Sequence, residues 1–221
     1  GTTGLVVTNS ASTVTDAKTS VDTLKPVDGT TFTLTTGVDD LKGTDKDDLF
    51  KAVNSSAIAE GTLQGGDKID GGAGNDTLKV DMNKSWEGFT TGSMTNVENV
   101  NITSKTATTV NYDASGSTGV SKYVIDSTTG SVTLSQLDAL ANLEVTGPQA
   151  DSTFKAAYKA TSTVATGTQT DVQNLKVTNV GTINTAAANV ASNAKVMTVD
   201  IDKVETLAIT TAGTANSLDL S

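Results

Sequence analysis

Residues 71–79, Gly-Gly-Ala-Gly-Asn-Asp-Thr-Leu-Lys, fit the nonapeptide G-G-x-G-x-D-x-U-x at every specified position, U being a large apolar residue. No other stretch constrains the fold as much. The three glycines let the backbone curl through conformations closed to other residues and turn carbonyls inward, and Asp76 adds the charged oxygen that a hard cation prefers. The chain then straightens into a strand whose Leu78 points into a core. Such a unit reads as a calcium-binding turn followed by a short strand, and one unit cannot bury its apolar face alone. The preceding residues 62–70 keep the frame, with Gly65, Asp67 and Ile69 in the places of Gly74, Asp76 and Leu78. A third, looser unit is Lys42 to Phe50, with Gly43, Asp47 and Leu49 at equivalent offsets and a further acid at Asp45. The alternative is a set of unloaded Gly-Asp turns, which need those residues for backbone reasons alone.

Beyond Val80 the nonapeptide frame is lost and a second periodicity replaces it. Val97–Thr103, Leu140–Thr146, Val172–Thr178 and Val204–Thr210 share the pattern V/L-x-N/T-V/L-x-V/I-T. The last two intervals, from Leu140 to Val172 and from Val172 to Val204, are equal, and the first, from Val97 to Leu140, is longer. The last four residues of each copy alternate apolar and polar as strands do, and the Asn or Thr can stack from copy to copy. Tyr123–Ile125, Val132–Leu134 and Val196–Ile201 are further short strands, assigned to the other faces of each coil. Leu134–Leu143 and Asp151–Ala160 carry apolar residues at helical spacing, the second behind an Asp151-Ser152 cap, and predict short helices or turns on the coils. Residues 51–61 read as an insertion, and Trp86, the single Trp, as a packing residue closing that end of a roll.

Composition supports a repetitive β architecture. Only 4% of the chain is aromatic, so a core must consist of thin aliphatic layers. The expected fold is therefore all-β, a β-roll or parallel β-solenoid. It has a lead-in at 1–29, a calcium-binding roll at 30–90 and a solenoid at 91–221 with repeats of about 32–43 residues. An antiparallel sandwich of similar strands is the alternative.

Charge and missing residue types narrow function. The formal charge is −10, the pI near 4.3, and every basic residue is Lys, which disfavours nucleic acid and anionic membranes as partners. There is no Cys for thiol or disulfide chemistry and no His for general base catalysis. No apolar run approaches the ~20 residues a membrane helix needs, so no transmembrane segment is expected. The chain opens at Gly1 without Met or signal peptide, which suggests a processed chain or an excised segment.

The run TFTLTTGVDDLKGTDKDDLF, then GGDKIDGGAGNDTL, then NVENVNIT- and VETLAIT-type strands resembles the RTX-type surface-layer (S-layer) proteins of Gram-negative bacteria. The likeness covers most of 30–210, although good nonapeptides are few. It implies type I secretion, residence on the bacterial cell surface, Ca²⁺ as the ligand, and self-assembly of copies of the chain into a sheet or array. Cell-surface polysaccharide is a second expected partner. By that reading Asp76 is the foremost metal ligand, followed by Asp67, Asp47 and Asp45, with carbonyls of Gly71, Gly72 and Gly74. No enzymatic activity is expected. The rival readings are a calcium-stabilised secreted adhesin or carbohydrate-binding module, supported by Thr-x-Thr stretches, and a polysaccharide lyase on a β-helix. The lyase lacks the His or Arg such sites usually need.

Overall fold

The structure is a computed structural model that describes residues 29–57, 59–126, 129–147, 152–162, 164, 171–180, 196–213 and 216–221. Its strands are β1 (Thr31–Thr33), β2 (Asp40–Lys42), β3 (Leu49–Asn54), β4 (Lys68–Asp70), β5 (Thr77–Met82), β6 (Ser93–Thr95), β7 (Asn99–Ser104) and β8 (Val110–Asp113). They continue as β9 (Lys122–Asp126), β10 (Val132–Leu137), β11 (Asn142–Thr146), β12 (Thr153–Tyr158), β13 (Val172–Thr178), β14 (Met197–Ile201), β15 (Thr206–Ala212) and β16 (Leu218–Leu220). Odd-numbered strands form one eight-stranded sheet in chain order; even-numbered strands form a three-stranded sheet, β2 to β6, and a five-stranded sheet, β8 to β16. The chain thus alternates between two faces, and within each sheet every strand pairs in parallel with the next but one. This is the all-β arrangement of a roll or parallel solenoid, as the sequence predicts.

Side-chain alternation fixes which way each strand faces. In β3, Phe50 and Ala52 are buried between exposed Lys51 and Val53, and in β5 Leu78, Val80 and Met82 are buried. Both faces feed one core: Tyr112 of β8 meets Tyr123 of β9 edge-on at 6.3 Å, and Phe32 stacks on Phe50 at 4.9 Å. Where β12 faces β13, the buried Gln173 accepts a hydrogen bond from the Tyr158 hydroxyl and donates to the Ala141 carbonyl at 2.7 Å. A polar group can be buried there because its partners are supplied.

Register resolves the repeat. Leu143 faces Leu175, the same position one repeat later, as the sequence pattern places it. The longer interval between Val97 and Leu140 holds two coils, because β9 lies between β7 and β11, with Val100 opposite Tyr123 and Tyr123 opposite Leu143. Tyr123–Ile125 therefore belongs to the same face as the repeat, not to the other one. Leu175 faces Ile209 rather than Leu207, a slip of two positions that keeps the same side inward.

Other expectations are corrected. The region 134–143 spans β10 and the start of β11, and 153–158 is strand β12; among the described residues there is no α-helix. Asp151 of the expected cap lies outside the described residues, as does the lead-in apart from Gly29. Of the supposed insertion at 51–61, residues 51–54 complete β3, and 55–57 and 59–61 are loop. Trp86 is indeed a core residue, packed edge-on against Phe89 at 5.4 Å. It closes no end, however: it bridges in parallel to Tyr112, and Ser117 bridges back to Met94, which joins the coils where the even-numbered sheet divides. Among the described residues no helix is long and apolar enough to cross a membrane.

Candidate metal centre

The nonapeptide turn, 71–76, links β4 to β5, and the same edge of the preceding coil carries residues 43–48 between β2 and β3. Leu49 faces Thr77 and Phe50 faces Leu78, so Gly43 lies over Gly71 and Asp48 over Asp76. The third unit is thus shifted by one from the sequence reading: Asp48, not Asp47, occupies the slot of Asp76, and Phe50, not Leu49, enters the core. One coil further on, Thr77 faces Asn99, which brings Glu98 over the same point.

These acids form a ladder. Asp48 Oδ1 accepts the Thr30 N–H at 2.6 Å, Asp76 Oδ1 the Asp48 N–H at 2.7 Å, and Glu98 Oε2 the Asp76 N–H at 2.7 Å. Each carboxylate thereby ties its turn to the one before it. Their second oxygens differ. Asp48 Oδ2 takes the Thr44 N–H at 2.5 Å and the Thr44 hydroxyl at 3.0 Å, closing its own turn. The corresponding donor for Asp76 is the Gly72 N–H, which instead donates to Asp70 Oδ1 at 3.1 Å. Asp76 Oδ2 is left buried with no hydrogen-bond partner.

Glycine makes this divergence possible. Gly72 and Gly74 hold φ of 94° and 131°, values that side chains rarely tolerate and that the Thr44 turn does without. At Gly71 a Cβ would overlap the Asn96 carbonyl oxygen and lie 2.5 Å from Asp76 Oδ2; at Gly43 it would overlap the Gly71 carbonyl oxygen and lie 2.7 Å from Asp48 Oδ2. Each missing Cβ thus lets the next coil's carbonyl oxygen pack directly against the glycine, close to a carboxylate oxygen. All donors there are oxygen, the set preferred by a hard cation such as Ca²⁺. Among the described residues no three acidic side chains converge on one point. A cation here would be held by Asp76 and main-chain carbonyls, and these residues fit such an ion.

Protonation follows the same geometry. Burial pushes the Asp76 carboxyl above its ordinary 3.8, against the pull of the Asp48 N–H, and the charges of Glu98, Asp48 and Asp47 push it further the same way. Asp48 is also driven up by burial, but the N–H groups of Thr44 and Thr30 outweigh that and hold it below 3.8. Asp70 is lowered by the Asn96 amide and then the Gly72 N–H.

The other predicted ligands divide. Asp67 is fully buried but lies at the turn entering β4, the opposite end of that strand, about 13 Å of extended chain from Gly71. Its oxygens are already used, accepting the Asp39 N–H at 2.9 Å and the Gln64 N–H at 2.7 Å, although burial, and then the charge of Asp39, still raise its pKa. Asp67 is therefore a turn closure, not a partner of Asp76. Asp45 is 80% exposed and pairs with Lys46 at 3.3 Å. Asp47 Oδ1 accepts the Asn75 N–H at 2.8 Å from the rim. Asp48 and Glu98 escaped the sequence reading. Counting on from Gly43 by the same step that separates Asp76 from Gly71 would have found Asp48.

A pH dependence follows. A carboxyl whose folded pKa is raised stabilises the fold when protonated, and that contribution is lost as pH rises from 3.8 through the raised value. Calcium-free protein should therefore lose stability over that interval through Asp76 and Asp67. Subtracting the melting profile of Asp76→Asn isolates the Asp76 part, and a difference flat with pH would contradict the assignment.

Comparison of the chain with protein-family models, with curated proteins and with solved structures finds no match.

Proposed function

We propose that the chain is a non-catalytic structural module of the bacterial cell surface that folds as a calcium-stabilised roll and assembles with copies of itself, as S-layer proteins do. The observation that carries the calcium part is the buried, partnerless Asp76 Oδ2 beside the close approach of the Asn96 carbonyl to Gly71. A buried carboxylate oxygen without a donor is costly, and a cation is the direct remedy. Asp76 lies in a stack of like charges, Asp48 and Glu98 above and below it, so an ion there screens repulsion between coils as well. The absence of His, Cys and Arg supports a structural role over a catalytic one. Assembly and surface location rest on the sequence resemblance.

Light scattering during calcium titration tests this reading. Particle size should rise with millimolar calcium and fall again on chelation, while the far-UV β signal changes little. Particles of one size in both conditions would remove the assembly half of the proposal.

A further inference from the structure

Away from the turns, the outer face of the eight-stranded sheet carries an arrangement that folding does not require. Lys51 on β3 and Lys79 on β5 are direct register partners with exposed side chains. Adjacent strands lie about 4.8 Å apart, so the two ammonium stems run side by side, and like charges so placed destabilise a sheet. Neither lysine has a counter-ion among the described residues; the nearby Asp81 is drawn instead to Lys105 at 3.6 Å, with 40% of its side chain still exposed. Thr33 and Asn101 extend the same column on either side.

The face is not flat here. A groove of 340 Å³ lies over the pair, lined by Lys51, Lys79, Asp81, Val53 and Thr33 and walled by Thr62 at the end of the loop that leaves β3. Thr62 is fixed there, its hydroxyl accepting the Val53 N–H at 2.8 Å and its own N–H donating to the Val53 carbonyl at 2.8 Å. The wall is therefore held by hydrogen bonds to the strand it overhangs.

From these features we infer that the groove binds an acidic oligosaccharide. The lysine pair favours an anion, whereas Asp81 and Thr33 offer hydrogen-bond partners to hydroxyl groups. A bare inorganic anion would satisfy only the lysines, and a neutral sugar only the others. A uronate-containing chain carries both groups. An acidic peptide fits less well, because the groove lies on a sheet face whose backbone groups are already paired. Binding is local and salt-sensitive, since the −10 charge of the whole chain repels an acidic ligand elsewhere.

The test is calorimetric titration with a hyaluronan tetrasaccharide, with chitotetraose and sodium sulfate as neutral and sugar-free probes, in millimolar calcium. The parent should bind hyaluronan, and Lys51→Gln/Lys79→Gln should lose at least about tenfold in affinity, charge-assisted hydrogen bonds being the stronger kind. Both lysines face outward and their repulsion is removed, so the double variant should melt at or above the parent. No binding by the parent, or unchanged affinity in the double variant, overturns the site. Equal affinity for sulfate overturns the sugar assignment, and equal affinity for chitotetraose overturns the role of the lysines. Asp76→Asn should bind the tetrasaccharide as the parent does, which keeps the groove separable from the calcium reading.

Discussion

Asp76→Asn should abolish calcium binding without weakening the calcium-free fold. The amide oxygen can still accept the Asp48 N–H that Asp76 Oδ1 accepts, and its NH₂ group replaces a buried charge that lacks a donor. In chelator the variant should therefore melt at or above the parent. In calcium the order reverses. Extracellular calcium modules bind with Kd of about 10⁻⁴ to 10⁻³ M, so millimolar calcium adds roughly 0.4–1.4 kcal/mol per site. For a chain of this size that is a Tm rise of about 1–5 °C, present in the parent and absent in the variant. Calorimetric titration and paired melts with and without calcium measure both effects. Undiminished calcium uptake by the variant would show that the Gly71–Asp76 turn is only a turn.

The second large effect lies in the core. Leu175 is 1% exposed at the centre of β13, between Leu143 and Ile209. Truncating such a leucine costs about 2–5 kcal/mol, and a carboxylate in its place adds the burial of an unpaired charge. Against a typical stability of about 5–15 kcal/mol, Leu175→Asp should leave the coils around it unfolded. Leu207→Asp is the informative contrast. Leu207 is only half-buried on β15, opposite Gln173, and the same change there should lower the melting temperature modestly. Equal effects at the two positions would mean that the register placing Ile209 over Leu175 is wrong.

The physical reasons for what could be read in advance are visible in single residues. Leu143 and Leu175 disclosed the repeat because an inward aliphatic residue recurs at one register position, and stacking requires that recurrence. The sequence places Tyr123 on the wrong face because Lys122–Asp126 lacks the Asn that marks its neighbours, although it stacks between them. The helical spacing around Leu137 is an irregularity in a strand: register shifts between Leu134 and Leu137, and Gln136 adopts φ of 56°, which turns both leucines inward. In β12 the run Ala156-Ala157 hid a simple alternation of Phe154, Ala156 and Tyr158. At the site, the doublets Asp47-Asp48 and Leu49-Phe50 allowed two frames offset by a single position. Packing chose between them, because Phe50 stacks on Phe32 and lies over Leu78. The Gly71 turn itself was legible, since its glycines are demanded by close backbone approach. The unpaired oxygen of Asp76 was not, because it depends on where the Gly72 N–H points.

Coil length varies widely without disturbing the stack. The coil that carries Thr31 round to its partner Leu49 uses little more than half the chain of the coil that carries Val172 round to Thr206, yet both pairs belong to one unbroken sheet. The pitch of the molecule is therefore independent of how much chain each turn consumes. Every coil advances the axis by one strand spacing, so the eight strands span roughly 34 Å whatever their loops contain. Residues added to a connection widen the girth of the rod, and only a complete added coil changes its length. Built this way, the chain is a ruler graduated in strands.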